Sequence, residues 1–319
     1  MIPEFPLQVR NLTKSFGALL AVDRLTLDIA RGEVFGFLGP NGAGKTTSIN
    51  MMVGLLDPTD GDVLIEGRSI RAGRKQAQRF IGVCPQENIL WEKLTCLEQL
   101  EFVGVNYGLP ARQASARGAE LLDALGLSSK AQELAGRLSG GMKRRLNLAL
   151  ALVHDPQIMF LDEPETGLDP QSRVLVREMI RQLARRKTVV LTTHNMDEAE
   201  RLADRVAIID HGRLLVTGTP EALKRGQGDG TLLEIEIDAP QEQDAQRIFS
   251  AVLGCLQPLF PGALLANSRL TLRGPDLSNR LPEILQRVQS VGARVGSVHM
   301  RPVTLEDVFL ALTGRGLRE

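Results

Sequence analysis

Eight consecutive residues, Gly39-Pro40-Asn41-Gly42-Ala43-Gly44-Lys45-Thr46, carry the densest chemistry in the chain. They follow an apolar run, EVFGFL, and lead into a helical pattern, so the glycines fall at a strand-to-helix junction. Glycines at such a junction let successive backbone N–H groups turn inward around phosphate oxygens, at the positive end of the following helix. Lys45 can reach the outer phosphates, and the hydroxyls of Thr46 and Thr47 come next, with Thr46 suited to Mg²⁺. A tight turn beside a surface lysine would share the composition but not both flanks.

A second cluster, IMFLDEPETGLDP, ends an apolar strand pattern in Asp162 and Glu163. Two carboxylates at the C-terminal edge of a strand lie where α/β sheets bind ligands. Asp162 is suited to hold Mg²⁺ through water, and Glu163 to polarise an attacking water as general base. Acids ending a buried strand are common, so this reading gains its force from the phosphate loop.

The elements that must position these groups are legible in the hydrophobic pattern. EVFGFLG, DVLIEG, FIGVCP, IMFLDE, TVVLTT and RVAIID are strand-length runs, mostly apolar on both faces, as buried and largely parallel strands are. Between residues 87 and 138 strand patterns stop and helical spacing takes over, which predicts a helical insertion. KRGQGDGT, residues 224–231, reads as a linker. The expected division is a sheet domain over residues 1–228 and a small α+β domain over 229–319, with β-α-β-α-β order and a ferredoxin-like topology. The phosphate-loop pattern occurs once, so one chain contributes one nucleotide site.

Further motifs identify the subclass. LSGGMKRR, residues 138–145, places the N-cap candidate Ser139 and the amides of Gly140 and Gly141 at the start of an apolar-faced helix, a terminus able to receive an anion. This sequence resembles the signature of ABC ATPases, with Met142 where glutamine is commonest. The same resemblance implies that Phe16 stacks on adenine with Val22 as its apolar companion. It further implies that Gln86 reaches Mg²⁺ and the attacking water, that Asp169 of Gly167-Leu168-Asp169 crosses to a second subunit, and that His194 contacts the γ-phosphate. One departure is Glu165, where the family usually carries threonine. The closing run VTLEDVFLALTGRGLRE resembles the C-terminal extension of exporter ATPases of the daunorubicin-resistance and nodulation-export type.

The resemblance implies an α/β P-loop NTPase of the ABC ATPase class that binds ATP and Mg²⁺. It also implies a homodimer closing head to tail, so that Ser139 and Gly141 serve the partner's nucleotide, and a separate membrane permease of ABC-2 type. The alternative is a soluble ABC ATPase acting on ribosomes or DNA. Lys plus Arg and Asp plus Glu balance at 38 each, which gives no nucleic-acid footprint. Three scattered cysteines suit a reducing compartment, and no run approaches the roughly 20 apolar residues of a spanning helix. The start of the chain lacks a signal-peptide pattern, so the expected location is cytoplasmic, at the inner face of the membrane through the permease.

Overall fold

The computed structural model describes residues 4–226, 231–238, 245–266, 268–274 and 276–313. These residues form two compact units, one running up to Thr219 and the other starting at Pro220.

The first unit opens with the hairpin β1 (Leu7–Phe16) and β2 (Leu19–Ile29). The strand β3 (Val34–Leu38) follows, then the phosphate loop and α1 (Lys45–Met52). Next come β4 (Asp60–Ile65), β5 (Arg68–Ser69), α2 (Ile70–Gln78) and β6 (Ile81–Cys84). The predicted insertion contains α3 (Cys96–Asn106) and α4 (Ala111–Ala124), and α5 (Gly140–Leu152) returns the chain to the sheet. Thr95 and Glu98 close a reciprocal capping box on α3, which fixes where the insertion's first helix starts. The remaining elements are β7 (Ile158–Asp162), α6 (Pro170–Ala184), β8 (Thr188–Thr193), α7 (Met196–Leu202), β9 (Arg205–Asp210) and β10 (Arg213–Gly218).

A six-stranded sheet has the order β10-β9-β3-β8-β7-β6, parallel except where β10 pairs with β9. Every residue of β3 and β8 is buried, the pattern of strands covered on both faces. DVLIEG contributes β4, which sits instead in a separate four-stranded sheet of order β2-β1-β4-β5 and pairs antiparallel with β1. Side chains from both sheets and from α1, among them Leu7, Ile29, Phe35, Phe37, Met52 and Phe160, share one core. Removing such large apolar groups from water is the main source of stability, at about 25 cal/mol per Å².

The second unit contains α8 (Pro220–Arg225), β11 (Thr231–Asp238), α9 (Ala245–Leu256), β12 (Leu264–Ala266), β13 (Arg269–Arg273), α10 (Leu277–Ser290), β14 (Arg294–Pro302) and α11 (Leu305–Thr313). Its sheet has the order β12-β13-β11-β14, with antiparallel neighbours throughout. With one helix after β11 and another after β13, this is the β-α-β-β-α-β order of a ferredoxin-like fold. The sequence pattern missed β12 because it is three residues long. Leu233, Ile235 and Ile237 of β11 pack with Val252, Leu256, Ile284 and Val288 of the two helices into a core of their own. Arg301 of β14 binds both carboxylate oxygens of Asp307 on α11, at 2.7 and 2.9 Å, and also Glu234 of β11.

The division falls before α8, which packs against α11. The boundary read from the glycine-rich run lies later; residues 227–230 of that run are outside the described residues. Because each unit has its own core, a chain ending at Thr219 is expected to stay folded and keep an ATP-dependent rise in melting temperature. Thermal melts with and without MgATP check this. Insoluble truncated protein, or loss of the nucleotide-dependent shift, would show that the second unit is needed for the first.

Candidate functional site

Parallel pairing places the C-terminal ends of β3, β8, β7 and β6 side by side, and each delivers one part of the site. After β3, Gly42 and Gly44 turn the loop at φ 79° and 98°. A Cβ on Gly44 would stand 2.6 Å from the Ala21 carbonyl oxygen, so both its backbone angle and its surroundings require glycine. Lys45 opens α1 and is 7% exposed; its Nζ donates to the Gly39 and Pro40 carbonyls at 2.7 and 3.1 Å. Burial lowers the Lys45 pKa, while the nearby charges of Glu163 and Asp162 oppose that shift. An ammonium held at a cavity lip under these opposing influences has a strong reason to bind an anion.

After β7, Glu163 carries three hydrogen bonds on its carboxylate. Gln86, after β6, donates from Nε2 to Oε2 at 3.1 Å, and Thr166 donates from Oγ1 to the same oxygen at 3.0 Å. His194, after β8, places Nδ1 2.8 Å from Oε1. Thr192 of β8 donates to Asp162 and accepts from the Glu163 backbone N–H at 3.1 Å. Three separately predicted residues, Gln86, Glu163 and His194, thus converge on one carboxylate.

A cavity of about 560 Å³ opens here, large enough for a nucleotide. Its lining includes the predicted Phe16, Asn41, Gly42, Gly44, Lys45, Thr46, Thr47, Gln86, Glu163 and His194. Gly39, Pro40 and Ala43 support the loop from behind: Gly39 and Pro40 hold Lys45, and Ala43 accepts from Gly212 N at 2.9 Å. Val22 does not line the cavity. It is buried in the core at 1% exposure, and Leu19, Leu20 and Ala21 line the wall beside Phe16 instead. Phe16 is 49% exposed, with the Lys14 ammonium 5.1 Å from its ring centroid.

Ser139, Gly140, Gly141 and Asp169 lie outside this lining and near one another. Ser139 caps α5, accepting from Met142 N at 3.3 Å. Asp169 caps α6, accepting from the N–H groups of Gln171 and Ser172 at 3.0 Å each. A Cβ on Gly141 would lie 2.6 Å from the Ser172 hydroxyl, so the signature glycine is pressed against the residue Asp169 holds.

Glu165 is also outside the phosphate cavity. It is 5% exposed and forms a two-point ion pair with Arg177 of α6. Beside that pair Glu198 of α7 is buried, accepting from the Thr193 hydroxyl at 2.6 Å. Burial, reinforced by the charges of Glu165 and Glu163, pushes the Glu198 pKa up to about 7. Sequence reasoning missed Thr166, Thr192, Arg144, Glu198 and His211. Only Arg144 left a signal, on the inner face of α5 in line with Asn147 and Leu148.

The donor set fits Mg²⁺: the Thr46 hydroxyl, the Gln86 amide oxygen and the Asp162 carboxylate are all hard oxygens. Among the described residues no group of three or more His, Cys, Asp or Glu could hold a metal.

The ABC transporter family profile matches residues 22–166. A Nod factor export ATP-binding protein I of Burkholderia lata is 40% identical over 320 residues, covering 100% of this chain and 100% of that protein. Among solved structures, an ATP-binding subunit of an ABC transporter has a TM-score of 0.64 at 29% identity, covering 69% of this chain and 92% of its own. A dimeric ATP-binding cassette in a post-hydrolysis state, bound to ADP and Pi, has a TM-score of 0.61 at 27% identity, covering 67% and 98%. The chain belongs to the ATP-binding subunits of ABC transporters, a family of ATP-hydrolysing transport ATPases.

A carboxyl whose folded pKa is raised favours folding at low pH and loses that advantage as the unfolded chain ionises. For Glu198 the window runs from about 4.5 to about 7. Glu198→Gln removes the ionisation, so its melting temperature relative to wild type should climb between those pH values and then level off. A difference that stays flat across the range would show that Glu198 titrates normally.

Proposed function

We propose that this chain is the motor of an exporter. It binds MgATP at the cavity between the phosphate loop and Glu163, closes head to tail on a second copy, and drives a membrane permease of ABC-2 type. The observation that carries the reading is the gathering of Gln86, Thr166 and His194 on the Glu163 carboxylate, in a cavity that also contains Lys45. Among the described residues no helix is long and apolar enough to cross a membrane, and the proposal assigns the spanning part to a separate permease. The expected location is therefore peripheral, at the inner face of the membrane. Nod factor export is the role the Burkholderia lata relative is named for; for this chain export is part of the proposal, and cargo choice belongs to the permease.

In the proposed reaction a water oxygen attacks the γ-phosphorus, the bond to the bridging oxygen of ADP breaks, and the water proton passes to Glu163. Bound Mg²⁺ supplies charge neutralisation on the phosphates. Lys45 contributes positive charge toward the outer phosphates, and Phe16 offers its exposed face to adenine. Gln86 and His194 hold the Glu163 carboxylate on either oxygen and fix its direction. Ser139, Gly141 and Asp169 lie apart from the chain's own cavity, which supports their serving a nucleotide held by the second copy.

Glu163→Gln should still bind ATP, while turnover falls by roughly 10²–10⁴-fold. The variant should accumulate as an ATP-bound dimer, visible by light scattering; wild-type turnover would falsify the role given to Glu163. Ser139→Arg should lose hydrolysis yet bind MgATP as a monomer with nearly unchanged affinity. Loss of monomer binding in that variant would contradict the head-to-tail arrangement.

A further inference from the structure

Arg144 is 4% exposed on α5, five residues past the N-cap Ser139. Its guanidinium spends its donors on backbone carbonyls. Nε donates to Pro164 O at 3.3 Å, and Nη1 donates to Pro85 O and to Gln86 O, the latter at 3.1 Å. Nη2 donates to Asp162 O at 2.9 Å and to Glu163 O at 3.2 Å.

One side chain therefore joins the segment after β6 to the segment after β7. Gln86 and Glu163 both lie just past their strands; Thr192 of β8 still holds the Glu163 N–H at 3.1 Å, and Arg144 takes the carbonyl on its other side. Glu163 is also at φ 45°, a left-handed geometry that is strained for a non-glycine residue and persists only with support from its surroundings. Carbonyl oxygens satisfy a buried cation through charge-assisted hydrogen bonds, and the planar guanidinium fork sets their directions. The two residues so clamped are hydrogen-bonded to each other at 3.1 Å through their side chains.

We propose that Arg144 is a positioning residue for hydrolysis. From the signature helix it locks the backbones of Gln86 and Glu163 in register, so that carboxylate and amide meet the attacking water together. This rests on the reading of Glu163 as general base. A lysine keeps the charge but places a single ammonium where a planar fork reaches five carbonyls in two stretches, so it cannot reproduce the clamp.

The test uses the full chain carrying Arg144→Lys, alone and combined with Glu163→Gln. For Arg144→Lys, MgATP affinity should stay within ~3-fold of wild type while kcat falls ~10–100-fold, as expected for a catalytic group misplaced by about an ångström. Amide hydrogen exchange should quicken at Gln86, Glu87, Asp162 and Glu163, with residues 146–152 of the same helix unchanged. In the Glu163→Gln background, adding Arg144→Lys should lower the residual rate by less than ~2-fold, since the base it positions is already gone. Unchanged exchange in the two clamped segments overturns the proposal. So does an equal fold-loss in both backgrounds, or a loss of MgATP affinity in step with kcat. Full turnover of Glu163→Gln alone overturns the general-base reading instead, a failure separable by the exchange data.

Discussion

Glu163 leaves β7 with its backbone in the left-handed region, at 8% exposure, and with its charge facing a cavity. Neither the geometry nor the buried charge is stable unaided. The Thr192 carbonyl and hydroxyl both accept from its N–H at 3.1 Å, and Arg144 takes its carbonyl. Gln86, Thr166 and His194 share its carboxylate. Four segments far apart in sequence thus meet at one residue, and the parallel order β3-β8-β7-β6 is the arrangement that brings them there.

The same need for partners organises the charges around this residue. Lys45 is too buried to stand alone, and the acids of β7 draw it toward its charged form. One layer behind, Arg177 is committed to Glu165, leaving Glu198 with a hydroxyl partner at 2.6 Å and one oxygen unpartnered. The unusual residue after Pro164 is therefore accommodated by an ion pair with α6 rather than by a place in the cavity. Buried pairs of this kind add less to stability than their closeness suggests, because both charges must first leave water.

Much of this was legible in the sequence because the motifs are local backbone chemistry. The glycines announce positive φ, Ser139 announces a helix cap, and Asp162 with Glu163 ends an all-apolar strand. What the sequence hid depends on contacts between distant segments. Arg144 reads as one more basic residue in KRR, yet its partners lie 18 to 59 positions away. The resemblance makes Val22 the apolar companion of Phe16, but Val22 is buried in the core and its neighbour Ala21 lines the cavity. The glycine-rich run reads as the unit boundary, whereas the division falls earlier, before α8, which packs against α11.

All of these arrangements matter for function only if the loop between β3 and α1 receives the phosphates, which makes Lys45 the point of greatest exposure for the account. The decisive measurement is a calorimetric titration of MgATP into the full chain and into Lys45→Ala. With the cation removed, no saturable binding should remain at concentrations that saturate the wild type. An affinity within about a factor of two of wild type, less than roughly 0.5 kcal/mol, would contradict the assignment of this cavity to nucleotide phosphates.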